Sequence, residues 1–200
     1  MVSSGRPQGT TKNSWKYLSE KQLVSFFNQV RKEGDLRDDV MMSLTLYLGL
    51  RVQELVNLKI KDIEPESREI TIQGMKSGRK RSYPDIDEKL WKKLCRWIKR
   101  LVPDEEFLFP SPKKIDGPIS AQAAKDLFKK YASKEGLSSD FSIHSLRHTC
   151  AMLKAKNNES PIKIMLWLRH RSVMSTQRYF EIVALENEAV DASRVFGGFM

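Results

Sequence analysis

The chain has 200 residues, 40% of them hydrophobic and 30% charged, enough to bury one good-sized core without disulfide or metal staples. With 35 Lys and Arg against 25 Asp and Glu, the formal charge of +10 favours a polyanionic partner, nucleic acid ahead of an anionic membrane surface. No apolar run reaches the roughly 18 residues of a membrane span, no lipidation motif is present, and the polar opening MVSSGRPQGTTKNSW lacks the apolar stretch of a signal peptide. A reducing, cytoplasmic location is expected.

Residues 1–15 show no hydrophobic period and read as a loose N-terminal arm. YLSEKQLVSFFNQVRKEG reads as the first helix, with Ser19 as N-cap and Gly34 ending it. LRDDVMMSLTLYLGL places Val40, Met41, Leu44, Tyr47 and Leu48 at helical spacing, a core helix that Gly49 breaks. RVQELVNLKIKDI restarts as a short helix running into extended chain. From 60 to 86 the period becomes two: EITIQ and RSYPDI read as strands and EPES and KSGRK as turns, which predicts an antiparallel sheet of two or three strands. Helices are expected near 87–102, 120–135, 144–156, 160–170, 173–183 and 184–195, with a long Pro-bearing loop over 103–118. The expected fold is mainly α with a small antiparallel β-sheet (α+β). Cys95 and Cys150 both fall in helical patterns and read as small buried apolar groups.

All three histidines lie between 144 and 170. In FSIHSLRHTCAML, His144, Arg147 and His148 admit three readings: the wet side of a helix, a zinc pair completed by His170, or a site for an anion. The i, i+4 spacing of His144 and His148 suits a metal. Against it, the residues between the two histidines are Ser, Leu and Arg, without the Glu of H-E-x-x-H, and Arg147, Arg169 and Arg171 would repel a dication. The anion reading uses the same residues, because His144 and Arg147 share a face and can donate to one oxyanion. Nine residues beyond His170 stands Tyr179, in RHRSVMSTQRYFEI. A phenol becomes a nucleophile when positive charge and donors surround its target, and otherwise a helical Tyr is a core residue. Arg51, two residues past Gly49, sits at a helix start where the macrodipole prefers an acid, and Glu54 can orient it through a bidentate pair. Lys76, Arg79, Lys80 and Arg81 crowd the hairpin tip QGMKSGRKRSYP, which is either a solvated turn or a nucleic-acid contact.

Together these boxes resemble the catalytic domain of the tyrosine recombinases, the integrase and Xer-like family. G-L-R-x-x-E-L at 49–55 matches the first arginine box, Lys76 stands eight residues before Pro84 as the hairpin lysine does, H-S-L-R-H matches H-x-x-R, and L-R-H with Tyr179 matches the third histidine and the nucleophile. The resemblance covers residues 16–183 as a catalytic domain, leaving 184–200 as a C-terminal helix and tail that either docks on a neighbouring subunit or caps its own chain. It implies a site-specific recombinase that forms a 3′-phosphotyrosine, with Arg51, Lys76, His144, Arg147, His170 and the nucleophile Tyr179 as catalytic residues. Glu54 and His148 support them, and Arg79, Lys80, Arg81, Arg169 and Arg171 are expected to contact DNA. It further implies no metal and no cofactor, with double-stranded DNA as partner, a dimer or tetramer on DNA, and a nucleoid-associated cytoplasmic location. A type IB topoisomerase-like relaxing enzyme and a catalytically silent DNA-binding regulator are the alternatives. Two departures stand out. Arg169 replaces the usual glycine before the third histidine, and residues 1–15 are too short for the N-terminal domain that closes a clamp around DNA. Either this is an isolated catalytic domain or a naturally short member, with the clamp supplied by a partner or by its own oligomer.

Overall fold

The computed structural model describes residues 16–74, 80–112 and 117–197, with side chains described through Glu186. The expected arm at 1–15, and Lys76 and Arg79 of the hairpin tip, lie outside the described residues. Helix α1 spans Glu20–Glu33 and begins in a capping box, where Gln22 N–H reaches Ser19 Oγ at 3.3 Å and Ser19 N–H reaches Gln22 Oε1 at 2.9 Å. Its inner face carries Phe26, whose ring centroid lies 4.9 Å from that of Phe128. Gly34 ends the helix for a steric reason and not for a left-handed turn. Its φ is −87°, and a Cβ there would meet Val30 O at 2.5 Å and the Tyr131 hydroxyl at 2.9 Å.

Helix α2, Leu36–Leu48, is the hub, packing on α1 and on three further helices: α3 (Val52–Val56), α4 (Glu88–Ile98) and α6 (Ile143–Lys156). Because neighbours surround it, Val40, Met41, Met42, Leu44, Thr45 and Leu48 are all buried, which explains the broad apolar face in the sequence. The two acids of its first turn are buried too, and each has a partner. The Tyr131 hydroxyl donates to Asp38 at 2.5 Å, and Lys93 meets Asp39 at 2.7 Å. At its end Gly49 is left-handed, with φ 57°. A Cβ there would stand 2.3 Å from Leu168 Cδ2, so two constraints select glycine.

A 3-10 turn at Ile60–Asp62 leads into β1 (Ile63–Glu64), which pairs antiparallel with β2 (Glu69–Gln73), which in turn pairs with β3 (Lys80–Tyr83). Alternation puts Ile70, Ile72 and Tyr83 inward, while Thr71 and Ser82 share the outer face at 2.9 Å. Helix α5 (Ala121–Lys134), α7 (Pro161–Trp167) and α8 (Met174–Gly197) complete the described elements. The long loop is tied down by Leu108 N–H to Leu58 O at 2.9 Å and by Trp97 Nε1 to Leu108 O at 2.8 Å. The mainly α fold with a small antiparallel sheet agrees with the sequence reading. Two helix boundaries do not. The segments expected at 173–183 and 184–195 form one continuous helix, because neither Gly nor Pro interrupts the run, and α7 stops at Trp167, short of 170. Cys150 is buried as expected, whereas Cys95 is only half-buried, and both thiols are free.

Candidate active site

The site forms where the ends of α2 and α7 meet α3, α6 and α8. Arg51 occupies the N-cap of α3, an arginine where an acid is favoured, and Glu54 resolves the conflict. Glu54 takes the Arg51 N–H at 2.9 Å on one carboxylate oxygen and the guanidinium Nη1 at 2.8 Å on the other. Arg51 Nη2 also donates to the carbonyl of Arg169 at 3.3 Å. The guanidinium of Arg147 is only 2% exposed and donates to the carbonyls of Gly49 and Leu168, the two residues that end α2 and α7. It approaches Glu54 Oε2 no nearer than 3.9 Å. Burial pushes the Arg147 pKa down to about 10, helped by the charges of Arg51 and Arg169, so it remains a cation at neutral pH.

Glu54 is the only carboxylate facing three guanidiniums among the described contacts, since Arg169 Nη2 reaches Oε2 at 2.8 Å. Its own burial would raise its pKa, but the charge and hydrogen bond of Arg169, with those of Arg51, outweigh burial and hold it below the usual carboxylate range. The cluster therefore has two more cations than anions, buried or half-buried, a strong attraction for a phosphate oxygen.

The histidines line the same place. The rings of His144 and His148 meet edge to face, centroids 4.6 Å apart. His170 Nδ1 is 2.9 Å from the buried Thr176 hydroxyl, which leaves Nε2 as the ring atom directed elsewhere. Desolvation first, then Arg147, Arg51 and Arg169, press the His170 pKa down to about 3, and desolvation with His144 and Arg147 does the same to His148. His144 is held below its ordinary value by loss of solvation and by Arg147 and Arg51. Both His148 and His170 are neutral at pH 7 and can donate one proton in a hydrogen bond without adding charge. Among the described residues no group of three His, Cys, Asp or Glu side chains is placed to hold a metal ion.

Tyr179, on α8, is 1% exposed, and its hydroxyl lies 2.8 Å from His148 Nδ1. Burial raises its pKa, against the opposing charge of Arg147. In this arrangement the phenol is protonated and held by His148, so His148, expected only as a supporting neighbour, contacts the candidate nucleophile directly.

The residues expected on DNA divide. Lys80, Arg81, Arg169, His170 and Arg171 border a cleft of about 690 Å³ with Gly74, Met165 and Leu166. Lys80 and Arg171 are exposed, while Arg81 stacks over the Tyr83 ring at 5.6 Å. Arg169 differs from its basic neighbours: its side chain is 8% exposed and turns inward to Glu54, because the buried carboxylate and the carbonyls of Leu48, Gly49 and Trp167 outcompete solvent for its donors. Tyr83 and Thr176 were not singled out in the sequence. Tyr83 bonds the Trp167 carbonyl and Arg169, yet its only sequence signal is an inward strand position, which reads as core.

A Phage integrase family model matches residues 16–185, and the chain belongs to that family, the tyrosine recombinases. Tyrosine recombinase XerA of Pyrococcus furiosus is 30% identical over 182 residues, covering 90% of this chain and 62% of the relative. A crystal structure of XerA recombinase superimposes with TM-score 0.72 at 26% identity, over 86% of this chain and 61% of that one. The fold is also that of XerH site-specific recombinase, described in a post-cleavage complex with palindromic difH substrate, at TM-score 0.78, 22% identity, 94% of this chain and 55% of that one. The chain thus spans about half to three fifths of the length of the relatives it matches.

Proposed function

We propose that this chain is the catalytic unit of a site-specific DNA recombinase that cuts and rejoins DNA through a 3′-phosphotyrosine. The observation that carries the reading is convergence: Arg51, Glu54, His144, Arg147, His170 and Tyr179, spread over 129 positions of sequence, share one cluster in a family member. Tyr179 Oη attacks phosphorus, the bond to the 5′-oxygen breaks, and the phosphodiester energy is kept in the phosphotyrosine for the reverse step, so no nucleotide cofactor is required. Arg51 and Arg147 clamp the non-bridging oxygens as charge develops, and His170 donates through its remaining ring nitrogen. His144 moves the proton at the nucleophile, and Lys76, by resemblance alone, protonates the leaving 5′-oxygen. The guanidiniums supply the electrostatic stabilisation that metal ions give other phosphoryl-transfer sites, which makes the reaction metal-independent.

Tyr179 has to leave His148 and become accessible before it reaches phosphorus, so productive DNA binding shifts the start of α8. The partner is double-stranded DNA, in keeping with the +10 charge and the basic cleft. Self-association through the C-terminal segment, a DNA clamp from a partner or from the oligomer, and a nucleoid-associated cytoplasmic location complete the reading. A pool of nicked suicide duplexes of randomised sequence tests it. The wild type is expected to leave a covalent protein–DNA band on a denaturing gel, which Tyr179→Phe removes without loss of folding. A band that survives Tyr179→Phe refutes the nucleophile, and absence of any band with the wild type overturns the recombinase reading.

A further inference from the structure

Arg169 stands just past the end of α7 with φ 57°, a backbone conformation that favours glycine. The His170 N–H reaches Met165 O at 3.0 Å and the Arg169 N–H reaches Leu166 O at 3.1 Å, the bond pair that closes a helix through a left-handed residue. A side chain is strained at this position, so an arginine here must contribute something glycine lacks. Its Nη2 meets Glu54 Oε2 at 2.8 Å and Gly49 O at 3.1 Å, and its Nη1 meets Trp167 O at 3.0 Å and the Tyr83 hydroxyl. Its carbonyl accepts from Arg51. One residue therefore ties the ends of α2 and α7 to α3 and β3, beside both clamp arginines and next to His170.

We propose that Arg169 is a positioning residue for strand transfer: it pins Glu54, which aims Arg51, and by occupying Glu54 it leaves the charge of Arg147 available to the scissile phosphate. This rests on the reading that Arg51 and Arg147 bind that phosphate. Although Arg169 borders the basic cleft, its guanidinium donors are taken by Glu54, Tyr83 and the carbonyls, which suits positioning better than a phosphate contact.

Arg169→Gly removes the guanidinium and the backbone strain together, so it separates positioning from helix closure. Adduct formation is measured at saturating concentrations of the nicked duplex pool. Arg169→Gly is expected to be slower on the order of tenfold or more, with DNA binding within about twofold of wild type, because misplacing the clamp affects the reacting geometry and not the encounter. Arg169→Lys, which keeps the charge but not the fork, falls between them. The double variant Arg169→Gly/Glu54→Gln is expected to be no slower than the slower single variant, since both remove one link. A wild-type rate in Arg169→Gly, additive losses, or a binding loss equal to the rate loss overturns the proposal. Urea unfolding of the wild type, Arg169→Gly, Glu54→Gln and the double variant reads the Arg169–Glu54 coupling without DNA: non-additive midpoints are expected, and additive ones reject the link. Should the wild type form no adduct, the recombinase reading falls and the strand-transfer role of Arg169 with it, while this second measurement still decides whether Arg169 pins Glu54.

Discussion

Arg51 and Arg147 carry the same charge into one cluster but stand in different surroundings, and their truncations should differ accordingly. Arg147 is 2% exposed and satisfies two buried carbonyls, whereas the Arg51 side chain is 40% exposed and Glu54 keeps Arg169 as a partner without it. Arg147→Ala is therefore expected to lower stability by roughly 2–4 kcal/mol through orphaned acceptors and an unbalanced cluster. Arg51→Ala should cost about 1 kcal/mol or less. Urea unfolding of the two variants checks this, and equal losses would mean that Arg147 is not buried as described. Both variants should stop adduct formation. The residue types of the cluster were legible from motif spacing, but the partnerships were not: nothing local says that Arg169 turns to Glu54, 115 positions away, or that His148 meets Tyr179, 31 positions away.

At the scale of elements, the site depends on how two helices end. Gly49 closes α2 in a left-handed turn that lies against Leu168, and Arg147 donates to the carbonyls of both residues. Gly49→Ala combines a disfavoured φ with a Cβ 2.3 Å from Leu168 Cδ2, and is expected to destabilise by roughly 2–4 kcal/mol. Gly136 has φ 64° but open space around its Cβ, so Gly136→Ala should cost only about 1 kcal/mol from backbone strain. Thermal or urea unfolding of the pair separates the two terms, and equal losses would exclude the packing contribution at Gly49. Helix starts were readable, since Ser19, Asp87, Ser120 and Ser160 each cap one. Ends were harder. The close of α7 falls on an arginine instead of a glycine, and the junction at 183–184 has no breaker, so proposed division of function there has no matching break in α8.

For the whole molecule, a buried cationic cluster with neutral histidines makes stability depend on pH. Folding holds His148 and His170 at about 3, while in the unfolded chain they return to about 6.5. Below the unfolded value the unfolded chain binds protons that the folded chain refuses, so stability falls as pH is lowered from about 6.5 towards 3. The slope approaches about 1.4 kcal/mol per pH unit for each ring, less what residual solvent access restores. Glu54 acts in the same direction, its lowered pKa adding stability that is lost as pH falls below the unfolded carboxylate range. Urea unfolding at pH 7.5 and 5.5 should show the decline, and His170→Gln should flatten it. An unchanged slope in that variant would show that His170 is not desolvated in the folded chain.

Composition and periodicity were enough, in the sequence alone, to specify a mainly α chain with a small sheet, and the ordered boxes, through the family they resemble, singled out the residues on which the proposed phosphoryl transfer rests. Burial faces repeat every two or 3.6 residues, so a short window reveals them. Which side chains meet was decided only in the tertiary structure, because those contacts join segments that have no local pattern in common. The inward turn of Arg169, the role of Tyr83 and the hold of His148 on Tyr179 all belong to that second kind. Each arises where a helix end meets another element, and buried donors there must find acceptors from wherever the fold brings them.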